Sequence, residues 1–226
     1  MVPAPGLRGC KERSARLRLT VSHSPEVVQR PATPPVPRWR SAAATVRSYV
    51  LLTKPRIVEL LLVTTVPAMV LAAGELPSLT LIGAVLFGGA LAAGGANTIN
   101  CWIERDRDQM MRRTRRRPLP AGAIAPRDAL VFGLALEGVA FAWLWAAVNL
   151  LAAALAVSAM LFYVFVYTIW LKPRSPQNIV IGGAAGAVPV LVGWAAVTGR
   201  LDAPAWVLFA IVFCWTPPHF WALALR

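Results

Sequence analysis

The residues best suited to chemistry lie in one short run, Asn97-Thr98-Ile99-Asn100-Cys101-Trp102-Ile103-Glu104-Arg105-Asp106-Arg107-Asp108. Asn100, Glu104 and Asp108 are spaced i, i+4, i+8. If a helix continues through them, they share one face. Two carboxylates and an amide oxygen in a row make a hard-oxygen surface. Mg2+ suits it, because it takes one or two carboxylates and completes its shell with water and substrate phosphate. Asp106 sits on a different face and joins the others only if the helix unwinds. Arg112, Arg113, Arg115, Arg116 and Arg117 follow within reach of any anion that the metal holds. A metal beside a cationic cluster is how proteins hold a diphosphate and stabilise it as a leaving group. Two plainer readings compete. The three acids could pair with the interleaved arginines in a solvated loop, where exposed pairs signify little. Asn100 could serve only as a hydrogen bonder between packed helices. Against both, the carboxylates adjoin an apolar run rather than a loop centre, and helical spacing links them to a buried amide.

The elements that must position this run are membrane spans. The chain has 226 residues, is 57% hydrophobic and only 15% charged, and carries a formal net charge of +13. A soluble domain of this size carries roughly 25% charged residues. The apolar residues come in runs of about 20, the length that crosses a hydrocarbon core of about 30 Å. The expected fold is therefore all-α, a polytopic transmembrane bundle with spans at 57–73, 79–102, 128–147, 150–170, 178–197 and 204–225. A soluble globular enzyme, a disordered protein and a disulfide scaffold are excluded. Cys10, Cys101 and Cys214 show no C-x-x-C spacing, and His23 and His219 are too few for a His-rich metal site. Gly182-x-x-x-Gly186 permits close helix contact.

The placement of Lys and Arg sets the orientation. Arg47, Lys54 and Arg56 precede the first span, Arg105 to Arg127 follow the second, and Lys172 and Arg174 follow the fourth. The alternate breaks carry no cation except Arg200. The N-terminus and the 2–3 and 4–5 loops are expected on the cytoplasmic side of a bacterial inner membrane. The excess of cations then reads as topology and tail signal facing a lipid bilayer, not as a nucleic-acid footprint. Residues 1–45 are expected to form a basic, disordered cytoplasmic tail, because Pro31, Pro34, Pro35 and Pro37 break any helix there. A mitochondrial transit peptide is the alternative, since the tail contains Arg and Ser and is poor in acids. Residues 46–226 form the membrane domain.

The acidic run and its continuation, Met111-x-Arg113-Thr114-x-x-Arg117-Pro118-Leu119, resemble the first Asp-rich motif of the intramembrane aromatic prenyltransferase superfamily. Within it, the chain resembles the protohaem IX farnesyltransferase (haem O synthase) family. Thr53-Lys54-Pro55-Arg56-Ile57-Val58-Glu59 is similar to that family's start of the first helix. Lys172, Ser175, Pro176, Gln177, Asn178, Ile181, Gly182, Gly183, Gly186, Pro189, Gly193 and Trp194 are similar to its fifth-helix signature. Trp215-x-Pro217-Pro218-His219-Phe220-Trp221 is similar to its sixth. Glu104 stands where the family usually has Asp, and reaches one methylene further. Pro173 and Val190 replace an expected Arg and Pro.

The resemblance implies nine spans and a second Asp-rich segment after the sixth. The chain stops at Arg226, where that segment would begin. It therefore resembles the first two-thirds of an enzyme, and weak metal–diphosphate binding with little turnover is expected of it alone. The implied activity is farnesyl transfer from farnesyl diphosphate to a vinyl group of protohaem IX, giving haem O, with Mg2+ as cofactor and a haem A synthase as partner. The implied catalytic set is Asn100, Glu104, Asp106 and Asp108, with Mg2+ on Asn100, Glu104 and Asp108. Lys54, Arg56, Arg112, Arg113 and Lys172 form the implied diphosphate rim, and His219 the haem contact. Lys54, Arg56 and Lys172 could equally be positive-inside anchors. His219 could bond between helices, and Trp215 and Trp221 could be interfacial aromatics. Glu59 could pair with Lys54 or Arg56. Glu137 is deeper, with no sequence-local partner and no implied role. Another prenyltransferase with a quinone-precursor or chlorin acceptor is the near alternative. A transporter half or an inactive membrane fragment is the distant one.

Overall fold

The structure is a computed structural model and describes residues 41–224. Helix α1, Ala42–Thr53, starts where the Ser41 side chain accepts the Ala44 N–H at 3.3 Å. It ends at Lys54, which takes left-handed backbone angles (φ 55°, ψ 64°). No other non-glycine residue among those described has positive φ. Pro55 then opens α2, Pro55–Ala73, where its fixed φ and missing N–H are no loss. Gly74, at φ 73°, ends it.

Helix α3, Leu79–Met110, is 32 residues long. At 1.5 Å per residue it measures about 48 Å, well beyond the roughly 30 Å of a hydrocarbon core. Its last turns therefore project from the apolar layer, and they carry the acidic run. Helix α4, Pro126–Ala147, follows a turn-rich segment. Helix α5, Leu150–Leu161, is capped by Asn149 and passes without a break into a ten-residue π-helix, Phe162–Leu171. Helices α6, Asn178–Thr198, and α7, Ala203–Ala224, complete the described chain.

Six of these segments are long and apolar enough to cross a membrane, as expected from the sequence. Helix α3 packs chiefly on α4, and α2 on α6, while α6 also contacts α5 and α7. Met69, Val85, Ala152, Val192 and Ala196 form a core that joins α2, α3, α5 and α6. Small residues let the backbones approach, since lipid supplies no hydrophobic drive between helices. A Cβ on Gly193 would lie 2.6 Å from the Thr65 carbonyl oxygen. A Cβ on Gly95 would meet both the Gly133 carbonyl oxygen and the Glu137 side chain at 2.9 Å. Glu137 is thus buried in the α3–α4 contact.

Four sequence expectations change. The tail expected over residues 1–45 falls outside the described residues up to residue 40, and its last residues already belong to α1. The span expected to end at residue 102 continues as helix to Met110. The span at 150–170 is α-helical only to Leu161. In Gly182-x-x-x-Gly186, only Gly182 is in close contact, against the Tyr167 ring; a Cβ on Gly186 would meet nothing within 4 Å. Gly193→Ala should cost about 1–3 kcal/mol by overpacking α2 on α6. Gly186→Ala should be neutral or slightly stabilising, because it adds helix propensity in open space. Unfolding of both variants in mixed detergent micelles checks the contrast.

Candidate functional site: a buried polar face at the end of α3

Helix α3 stays regular through the acidic run, so Asn100, Glu104 and Asp108 stack on one face. They are 2%, 7% and 2% exposed. Asp106 points away, with a side chain 61% exposed beside Arg105. Burying carboxylates without partners is very costly. Three separate elements supply the partners.

The bend at Lys54 sends its Nζ to Asn100 Oδ1 at 2.8 Å. One helical turn back, Asn97 donates through Nδ2 to the Thr53 carbonyl at 3.1 Å, tying the α1–α2 junction to α3. Lys172, at the end of the π-helix, pairs with Glu104. Its approach is not along a hydrogen-bonding direction, and the buried Glu104 Oε1 is left without a hydrogen bond. The third partner comes from the turn after α3. Thr114 donates its hydroxyl to the Asp108 carbonyl at 2.9 Å, and Arg117 donates through a guanidinium N–H to Asp108 Oδ2 at 2.8 Å. Leu119 and Ile124 hold this turn down by packing with Leu52, Cys101 and Ala129.

Three cations thus face two carboxylates, leaving an excess of positive charge. Burial pushes the Lys54 ammonium below its ordinary pKa, with Arg117 and Lys172 acting the same way and Cys101 and Glu104 opposing. Its hydrogen-bond partner is a neutral amide, so this desolvated cation lacks a carboxylate partner among the described residues. Such a group favours an incoming anion.

The donor set can hold a hard divalent cation. No cluster of three His, Cys, Asp or Glu exists among the described residues. The protein offers two carboxylates and one amide oxygen here, and Glu104 Oε1, buried against the Lys172 ammonium, makes no hydrogen bond. That is the sparse set of Mg2+ sites completed by substrate phosphate.

The sequence-derived candidates divide. Lys54 and Lys172 join the face, whereas Arg56, Arg112 and Arg113 are exposed. Thr168 was missed as a site residue, and Arg117 was read as one of the cationic run and of the Asp-rich motif but not as part of the diphosphate rim. The motif holds both Arg113 and Arg117, and only the turn geometry aims Arg117 backwards onto Asp108. Thr168 was visible only as a polar residue in an apolar span. His219 lies on α7, exposed, with its ring stacked on Trp215 at 4.4 Å. Glu59 pairs with neither Lys54 nor Arg56 and instead lines an apolar groove of about 640 Å3 between α2, α3 and α4. The polar face does not line that groove.

A six-span bundle with a polar, cation-ringed face at one end of its longest helix defines a polytopic helical membrane protein. More particularly, the chain belongs to the UbiA prenyltransferase family, which matches residues 61–226. It is 58% identical over 187 residues to protoheme IX farnesyltransferase 2 of Saccharopolyspora erythraea, covering 83% of this chain and 58% of that one. The corresponding enzyme of Salinispora tropica is 59% identical over 187 residues, with the same coverages. That of Mycobacterium tuberculosis is 54% identical over 186 residues, covering 82% and 60%. The chain therefore spans about three-fifths of the length of these relatives. Its fold is that of a digeranylgeranylglyceryl phosphate synthase (TM-score 0.66, 20% identity, 75% of this chain and 58% of that one). It is also that of an Archaeoglobus fulgidus UbiA homologue bound to DMAPP and Mg2+ (TM-score 0.63, 20% identity, 76% and 62%).

Arg117→Ala should destabilise the protein by about 2–3 kcal/mol, because Asp108 stays buried and unpaired. The loss is below that of a fully buried pair, since the Arg117 side chain is 36% exposed. Arg200→Ala, in the exposed pair with Asp202, should cost less than about 1 kcal/mol. Unfolding of the two variants in mixed micelles compares them.

Proposed function

We propose that this protein transfers a farnesyl group from farnesyl diphosphate to a vinyl group of protohaem IX, at the cytoplasmic face of a bacterial inner membrane. The observation that carries this reading is the buried Asn100–Glu104–Asp108 face ringed by Lys54, Lys172 and Arg117. The similarity to the named farnesyltransferases over four-fifths of the chain supports the choice of substrates.

In this reading Asn100 Oδ1, Glu104 and Asp108 would hold Mg2+, which when bound would supply charge neutralisation to the diphosphate. Exposed Arg56, Arg112 and Arg113 draw the diphosphate from the aqueous side, and Lys54, Lys172 and Arg117 pair with its oxygens. When the farnesyl C1–O bond breaks, its electron pair leaves with the diphosphate. The apolar helices keep water from the allylic cation. The haem vinyl then forms the new C–C bond, and water adds to the resulting cation beside the ring with release of a proton. His219, exposed on α7 with its ring stacked on Trp215, would be the haem contact and could ligate its iron.

Mg2+ should raise the binding of radiolabelled farnesyl diphosphate to the protein in lipid nanodiscs. Asp108→Asn should lower that binding more than about tenfold, while Asp106→Asn changes it less than about twofold. An equal effect of the two variants, or no effect of Mg2+, would sink the metal assignment. Pigment analysis of membranes given haem should show less haem O with His219→Ala. Farnesylation of a quinone-precursor acid instead would move the acceptor assignment.

A further inference from the structure

We propose that Thr168 is a positioning residue that fixes which way the Asn100 amide faces, and so keeps its oxygen turned to the carboxylate face. The inference rests on the metal-face reading of Asn100, Glu104 and Asp108. It starts from donor and acceptor accounting in a buried place. Asn100 donates through Nδ2 to Thr168 Oγ1 at 3.1 Å. Thr168 is 1% exposed and donates its hydroxyl to the Tyr163 carbonyl at 2.8 Å. A hydroxyl has one hydrogen. With that hydrogen committed to Tyr163, Thr168 Oγ1 can only accept. The amide nitrogen must therefore face Thr168, and Oδ1 must face the other way. A flipped amide would set two acceptor oxygens against each other with no water between them.

The π-helix is what commits that hydrogen. Elsewhere the helical Thr65, Thr98, Thr198 and Thr216 each donate to the carbonyl four residues back. Thr168 donates five residues back. The wider turn turns the hydroxyl toward Tyr163 and leaves its lone pairs toward α3. Gly182 makes room for this winding by letting the Tyr167 ring lie against α6.

Lys54 also favours the same amide orientation, because an ammonium only donates and its Nζ bonds Asn100 Oδ1 at 2.8 Å. Lys54 is a partner that an incoming anion can draw away, however. A diphosphate would compete for the ammonium, and at that moment the oxygen is needed by the metal. Thr168 stays in place, and then orients the amide without Lys54. Partners of this kind, which hold a ligand from behind, are worth 10- to 100-fold in metal affinity.

Retention of radioactive Mn2+ by the protein in lipid nanodiscs, at a fixed level of inorganic diphosphate, tests this. Thr168→Val replaces the hydroxyl with a methyl group of similar size and should weaken Mn2+ retention by about tenfold or more. Thr168→Ser keeps the hydroxyl and should stay within about threefold of the starting protein. In an Asn100→Ala background, Thr168→Val should add nothing, because there is no amide to orient. Thr168→Ala removes the hydroxyl without adding bulk and decides the matter if the valine variant does not fold. Unchanged retention with the hydroxyl gone, or an equal loss in the Asn100→Ala background, would overturn the positioning role alone. If the unaltered protein retains no Mn2+, the metal-face reading fails, and this inference fails with it.

Discussion

The constraint on which the rest depends is the cost of burying charge at the end of a membrane helix. Asn100, Glu104 and Asp108 are almost wholly enclosed. Carboxylates in such surroundings persist only beside cations and hydrogen-bond donors. Each unusual local feature near the site supplies one. The left-handed backbone at Lys54 turns its side chain onto Asn100. The π-helix delivers Thr168 to the same amide and Lys172 to Glu104. The anchored turn after α3 folds Arg117 back onto Asp108. Strain and irregular winding thus concentrate where a buried polar group needs a partner.

Packing makes this arrangement affordable. Helices α2 and α6 meet at Gly193, and α3 and α4 meet at Gly95 and Gly133, so the backbones come close without bulky side chains. The length of α3 then separates two environments on one rod. Its middle turns sit among small residues of the core, while its last turns carry charge beyond the apolar layer. In the proposed function, an amphiphile with an apolar tail and an anionic head would find both environments along one helix, and the net positive balance around the face would attract the head.

Much of this was legible in the sequence. Six apolar runs set the number of spans, because a hydrocarbon core admits only segments that satisfy their own backbone. The i, i+4, i+8 spacing put two acids and an amide on one face, and separated Asp106 from them, because helical geometry is local. Lys54 and Lys172 were picked out as cations at helix ends. Other features were not legible. Five arginines crowd residues 112–117, and composition ranks them equally. Only the packing of Leu119 and Ile124 beneath the turn aims Arg117 at Asp108 and leaves Arg112 and Arg113 in solvent. The Gly182-x-x-x-Gly186 spacing suggested a paired contact, yet one of its glycines faces open space.

The sequence by itself determined the spans, the family motifs and the shared face, all of which follow from spacing along one chain. The tertiary structure decided which cation meets which acid, where α5 changes to π winding, and that Thr168 stands behind Asn100. Lys54 and Thr168 reach Asn100 from 46 and 68 positions away, and Lys172 crosses a similar separation to Glu104, all brought together by helix packing. Arg117 meets Asp108 across nine positions because the turn after α3 is packed down beneath it. Spacing along one helix carries no record of what lies across from it.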